Sequence, residues 1–311
     1  MLDVRRLRVL REVERQGSFS GAADALSFTQ SAVSQQVAAL EREAGASLVE
    51  RGPRGVRVTE AGRALVAHAD AILARLDDAE QELAAIAGLR GGRLRLVSFP
   101  SAGAALVPDA IAVFNRRYPD VELSLAEAEP YDSLPVLKAG GFDLAVVFDY
   151  TPFGEDRDAE IERVHLLDDV MHAALPREHP LAGRPRVRLA DLAGDSWING
   201  VRTCGEFMTQ VCVAAGFEPQ VTLESNDYAT MQGLVAAGVG VTLIPDLVLA
   251  TGVNPGVAVV PFAGRPPVRR IWAAAPASGY RSPATAAMIE ILGEVCESFP
   301  ARLKGAVAAA S

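Results

Sequence analysis

Between residues 65 and 86 the apolar side chains Leu65, Ala69, Ile72, Leu76, Ala79, Leu83 and Ile86 recur at spacings of 4, 3, 4, 3, 4 and 3. A repeat near 3.5 residues aligns all seven on one stripe of a helix, and the residues between them are largely polar, so the stripe needs a partner. The stretch TEAGRALVAHADAILARLDDAEQELAAIAG, with Thr59 as cap and Gly88, Gly91 and Gly92 as its exit, is read as a long helix that pairs with a second chain. It divides the sequence into a small domain (1–60), a coiled-coil linker and dimerisation helix (61–90) and a large domain (91–311). His68, beside the seam, is read as structural.

The small domain presents an unusual helix. In TQSAVSQQVAALEREAG, Val33, Val37 and Leu40 form the apolar stripe, but the opposite face of the first turns carries Gln30, Ser31, Ser34, Gln35 and Gln36. The acids begin only at Glu41. Asp3 is expected to cap a preceding helix that Gly17 stops, Ser20 to cap a short second helix SGAADAL, and Thr29 to cap the glutamine-rich one. Two short helices joined by a brief turn, the second with a polar face, make a helix-turn-helix pattern. SLVERGPRGVRVT then reads as a hairpin with Arg51, Arg54 and Arg57 and no acid between them, the wing of a winged helix-turn-helix.

That face has a use. A glutamine amide bonds bidentately to adenine in the major groove and serine serves base edges or phosphates, whereas glutamate would be repelled by phosphate and lysine would bind any sequence. A recognition helix presents its N-terminal turns to the bases. Gln30, Ser31, Ser34 and Gln35 are therefore assigned to double-stranded DNA, and Arg51 and Arg54 to its backbone or minor groove. Charge agrees: residues 1–60 hold nine arginines against eight acids, within a chain of net charge −9. The acidic remainder excludes diffuse nucleic-acid coating.

The block GSFSGAADALSFTQSAVSQQVAALEREAGASLVERGPRGVRVTEAGRAL resembles the N-terminal domain of LysR-type transcriptional regulators, through its paired small residues, S-x-VS-x-Q helix, L-x-ER strand and T-x-AG-x-x-L start of the linker. Val49 stands where phenylalanine is common, Ser31 where proline is frequent and Gln35 where arginine is frequent. The last departure changes which bases are read. LVPDAIAVFNRRYP, GGFDLAVVF and AAGVGVTLIP resemble, more loosely, the effector domain of the same family. The resemblance implies a two-lobed α/β domain with the architecture of periplasmic binding proteins, a small-molecule effector between the lobes, and a homodimer or homotetramer.

The residues themselves support that architecture, because strands and helices alternate from Arg93 onward in two units. A ligand between lobes would sit at strand ends and helix N-termini. Ser98, Phe99 and Ser101 in SFPSAG precede a first-lobe helix. Asn199, Arg202 and Thr203 in INGVRTCG precede a second-lobe helix at about 204–215. Phe148 ends a strand as a further wall, and Asn226 is expected to cap a helix on the far side. Arg202 points to an anionic ligand.

Three cysteines make no disulfide framework. Cys204 and Cys212 raise an alternative, a thiol-based redox regulator, because the family's peroxide-sensing branch uses a cysteine pair in this region. Two cysteines eight apart on one continuous helix, however, cannot bond without unwinding it. His165, His172 and His179 are seven apart and have no metal-ligand spacing. P-loop, G-x-G-x-x-G and G-x-S-x-G motifs are missing. No enzyme, cofactor or metal site is expected. The first fifteen residues lack the pattern of a signal peptide, and no run of about 18 apolar residues exists, so a cytoplasmic protein without a membrane segment is expected.

Overall fold

Asp3 accepts a hydrogen bond from the Arg5 N–H at 2.8 Å, opening α1 (Val4–Gln16), which ends at Gly17 with φ 63°. The computed structural model describes residues 1–52, 55–86, 92–150, 158–200, 202–277 and 281–310. α2 (Phe19–Leu26) is capped by Ser18, not Ser20: once Gly17 turns the chain, Ser18 is extended and its Oγ accepts from the Gly21 N–H at 3.0 Å. Thr29 caps α3 (Gln30–Ala44) through the Ala32 N–H. Leu7, Leu10 and Val13 of α1, Ala22 and Ala23 of α2, and Val33, Val37 and Leu40 of α3 share one core. Each fully buried Leu or Val stabilises such a core by about 1.5–3 kcal/mol.

Strands β1 (Val49–Gly52) and β2 (Gly55–Val58) pair antiparallel with Val49 opposite Val58, forming the expected wing. Glu41 explains why acids appear late on α3. Its Oε1 accepts from the Leu48 N–H at 2.8 Å, and from the Val49 N–H and Ser47 Oγ at 3.3 Å, tying the wing to the helix.

The long helix α4 (Glu60–Ile86) starts at Thr59, whose Oγ1 accepts from the Gly62 N–H. Gly62 approaches the wing so closely that a Cβ there would lie 2.1 Å from the Leu48 carbonyl oxygen. Leu65 and Ala69, the first two seam positions, pack into the small domain's own core with Val66. The heptad reading gave them to a second chain; the nearby apolar face of α1 takes them instead. Further along, Ile72, Leu76 and Leu83 are exposed. Leu73 and Ala74, on another face, are buried, and a Cβ on Gly140 (φ +77°) would fall 2.3 Å from that of Ala74, so α4 lies against the large domain there.

The first lobe holds β3 (Gly92–Ser98), α5 (Pro100–Ala105), α6 (Val107–Arg117), β4 (Val121–Glu127), α7 (Pro130–Lys138) and β5 (Leu144–Tyr150). The apolar run of β5 is buried almost throughout, as suits a strand covered on both faces. The long strand β6 (Ile161–Pro176) leads to the second lobe, with β7 (Ser196–Asn199), α8 (Arg202–Ala214), β8 (Gln220–Glu224), α9 (Tyr228–Ala236), β9 (Thr242–Pro245), α10 (Asp246–Leu249) and β10 (Val257–Val260). β11 (Val268–Pro276) returns to pair antiparallel with β5, and α11 (Pro283–Ala310) follows.

Among the described residues, seven strands form one sheet, in the order β10-β6-β11-β5-β3-β4 with β9 also on β6. The N-terminal part of β6 pairs with β11, while its end pairs with β9 and β10. One strand thus belongs to both lobes, and the cleft lies beside it.

Candidate nucleic-acid interface and effector cleft

On α3, Gln30, Ser31 and Gln35 are exposed and Ser34 is half-buried. Ser31 Oγ lies 3.0 Å from Thr29 Oγ1 at the cap. Gln36, left out of the DNA assignment, is occupied within the domain: its Oε1 accepts from Arg6 Nε at 3.2 Å. The exposed edge is therefore formed by the N-terminal turns that sequence reasoning assigned to bases. Arg54 and the Arg51 side chain lie outside the described residues.

Between the lobes, the ends of β3, β5, β7, β9 and β11 and the start of α8 enclose a cavity of about 40 Å³. Phe99, Ser101, Phe148, Asn199 and Asn226 line it together, as expected. Three expected residues do not. Ser98 is buried with its Oγ donating to the Phe99 carbonyl, because strand alternation turns it away. Arg202 and Thr203 open α8 instead of preceding it, and the Arg202 guanidinium sits 3.7 Å from the centre of the Tyr131 ring on α7. Arg202 thus spans from one lobe to the other at the rim, and it gives the cavity no cation. Ser101 lies within α5, and Asn226 is displaced as cap by Asp227, whose carboxylate accepts from the N–H groups of Ala229 and Thr230.

The strongest feature of the cleft escaped sequence reasoning. Arg269 on β11 and Asp169 on β6 form a buried ion pair, Nε to Oδ2 2.6 Å. Asp169 Oδ1 also accepts from the Leu247 N–H, and Arg269 Nη2 donates to Ser101 Oγ at 2.6 Å. The guanidinium lies 5.0 Å and 5.2 Å from the rings of Phe99 and Phe148. Burial pushes the Asp169 carboxyl up. Burial also opposes the Arg269 charge, but the adjoining carboxylate outweighs it and holds the guanidinium proton more firmly than water would. A charge inside the apolar strand VRRIWAAAP was the available signal, since such a residue requires a partner.

Aromatic rings join the lobes. Tyr150, at the end of β5, stacks on Phe207 of α8 with centroids 3.7 Å apart and planes 9° from parallel. Its hydroxyl donates to Cys204 Sγ at 3.3 Å. Burial pushes the Cys204 thiol up, although the Tyr150 hydrogen bond works the other way. Cys212 is fully buried on the same unbroken α8, and burial raises its thiol to about 12. Eight residues of helix rise about 12 Å, so a Cys204–Cys212 disulfide would require α8 to unwind. The cleft wall also includes Glu129, Tyr228 and Thr242, none of which carried a sequence signal.

Among the described residues no cluster of metal-ligating side chains occurs, and no helix is long and apolar enough to cross a membrane.

A two-lobed α/β sensor behind a winged helix-turn-helix defines a class of DNA-binding regulator, and comparison with known proteins agrees. Residues 4–63 match the bacterial regulatory helix-turn-helix protein, lysR family, and residues 87–297 match the LysR substrate binding domain. The chain belongs to the LysR family of transcriptional regulators; it is a DNA-binding regulator and not an enzyme. It is 32% identical to the HTH-type transcriptional regulator LrrA of Synechococcus elongatus, over 94% of this chain and 96% of that one. It is 29% identical to the hydrogen peroxide-inducible genes activator of Dickeya chrysanthemi, over 87% of this chain and 88% of that one. In fold it is similar to a full-length OxyR variant from Pseudomonas aeruginosa (TM-score 0.71, 23% identity, 96% of this chain and 95% of that). It is likewise similar to CbnR, a LysR family transcriptional regulator (TM-score 0.70, 22% identity, 95% and 99%).

Proposed function

We propose that this regulator reads its operator with Gln30, Ser31, Ser34 and Gln35, holds the DNA backbone or minor groove with Arg51 and Arg54, and answers to a small molecule bound between its lobes. The exposed amide and hydroxyl edge at the start of α3 carries this reading, because neutral donor/acceptor groups at that place suit base edges and little else. The chain would act in the cytoplasm as a homodimer or homotetramer joined through the exposed part of the α4 seam, so that two recognition helices meet two half-sites. Phe99, Ser101, Phe148, Asn199 and Asn226 would touch the effector. Coupling follows if the ligand binds one arrangement of the lobes better than another.

Fluorescence anisotropy on the DNA upstream of the regulator's own gene, against random DNA at two salt concentrations, tests the DNA reading. A preference well above tenfold for the upstream DNA supports it. Equal, weak binding to both, with a cleft that binds metabolites without effect on DNA, would overturn it. The unbroken α8 keeps Cys204 and Cys212 about 12 Å apart along its axis, so a redox switch through that pair would need the helix to unwind.

A further inference from the structure

Two oxygen atoms in the cleft are buried with nothing to accept from among the described residues. Asn199 is almost fully buried; its Nδ2 donates to the Gly205 carbonyl, and its Oδ1 has no partner there. Glu129 Oε2, from the turn before α7, is likewise buried and unpartnered. Both residues line the same cavity. An unmet buried acceptor costs about 1–3 kcal/mol and more when charged, so two in one place favour a bound donor, whether water or the head of a ligand.

The charge count points the same way. Asp169 and Arg269 neutralise one another, and the guanidinium is turned to Ser101 and two phenylalanine rings. Among the described residues of the cleft, Glu129 is left as the uncompensated acid. Burial pushes its carboxyl up, Arg269 pulls it down, and the neighbouring charges of Glu127 and Asp132 push it up again.

The cavity of about 40 Å³ holds a head group, not a whole metabolite. An open groove of about 710 Å³ adjoins it, sharing Ser101, Asn226 and Tyr228. Among the described residues, Glu127 and Asp227 line that groove and no Lys or Arg does. Aromatic faces beside a carboxylate are the surroundings that hold an ammonium group.

We propose that the effector is an organic monocation whose ammonium head donates to Glu129 Oε2 and Asn199 Oδ1 while its apolar body lies in the groove. This rests on the reading of the cleft as the effector site.

Isothermal titration of the full-length protein with butylamine and phenethylamine, against the matching carboxylates pentanoate and 3-phenylpropanoate, tests it. The amines should bind at least tenfold more tightly than the acids. Glu129→Gln, nearly the same shape, should lose at least tenfold in amine affinity, whereas Glu122→Gln, on the exposed face of β4, should lose none. If Glu129→Gln does not fold, the wild type decides: amine affinity should fall as the pH is lowered and the raised carboxyl takes up a proton. Carboxylates binding more tightly than amines would overturn the cation and leave the cleft as an effector site. Silence from all four probes would overturn both.

Discussion

Arg269 and Asp169 stand opposite one another in the β11–β6 ladder, at the place where β6 passes from one lobe to the other. Their charges are 2% and 0% exposed, so neither can turn to water if the other is lost. Arg269→Met or Asp169→Leu alone should cost about 3–5 kcal/mol, while the double substitution should recover much of that loss. Urea unfolding of the three variants decides; a double variant no better than either single one would show that the pair is not an isolated unit.

Gln35→Ala should weaken binding to the specific operator by about 1–3 kcal/mol and leave affinity for random DNA nearly unchanged. Anisotropy on both DNAs separates these effects. An equal loss on both would assign Gln35 to the backbone instead of a base.

Gly62→Ala brings a methyl group into the Leu48 carbonyl where α4 leaves the wing. Thermal unfolding should show a destabilisation of about 1–3 kcal/mol, in the range of other overpacked sites. An unchanged Tm would mean that the helix start can shift at little cost.

Leu76→Glu places a charge in the exposed portion of the α4 seam without touching the small domain's core. Sedimentation velocity should show a shift toward monomer. An unchanged mass would move the oligomer contact away from α4.

Cys212 and Cys296 are pushed up to about 12 by burial, while an unfolded thiol titrates near 8.5. Stability from these neutral thiols is therefore full below about pH 8.5 and is lost as pH rises toward 12. Between pH 9 and 10 each should contribute a loss of about 1 kcal/mol. Cys212→Ala should show a smaller decline than the wild type over that interval in urea unfolding. Parallel declines would show that Cys212 is not shielded.

What the sequence disclosed followed from local rules. Asp3, Gly17 and Thr29 act where capping chemistry puts them, and the polar edge of α3 faces out because Val33, Val37 and Leu40 face in. Ser18 displaced Ser20 by one feature of Gly17, and Asp227 displaced Asn226 because a carboxylate there reaches two N–H groups. The cleft was only half legible. Phe99 and Asn199 stand at strand ends that can be read from periodicity, but Arg269 and Asp169 are 100 residues apart and meet only through strand pairing. Glu129 had no local mark at all. Arg202 looked like an anion's partner because a loop arginine carries no sign of the ring it covers.

The contact between Ala74 and Gly140 also sets a mechanical ratio. From Ala74 to Glu60, where α4 meets the small domain, the helix rises about 21 Å. Pivoting α4 by about 10° at that contact would carry the recognition helix nearly 4 Å, about one base-pair step along DNA. A rotation of that size at the Ala74–Gly140 contact would therefore reach the DNA-binding unit in the step in which an operator is written.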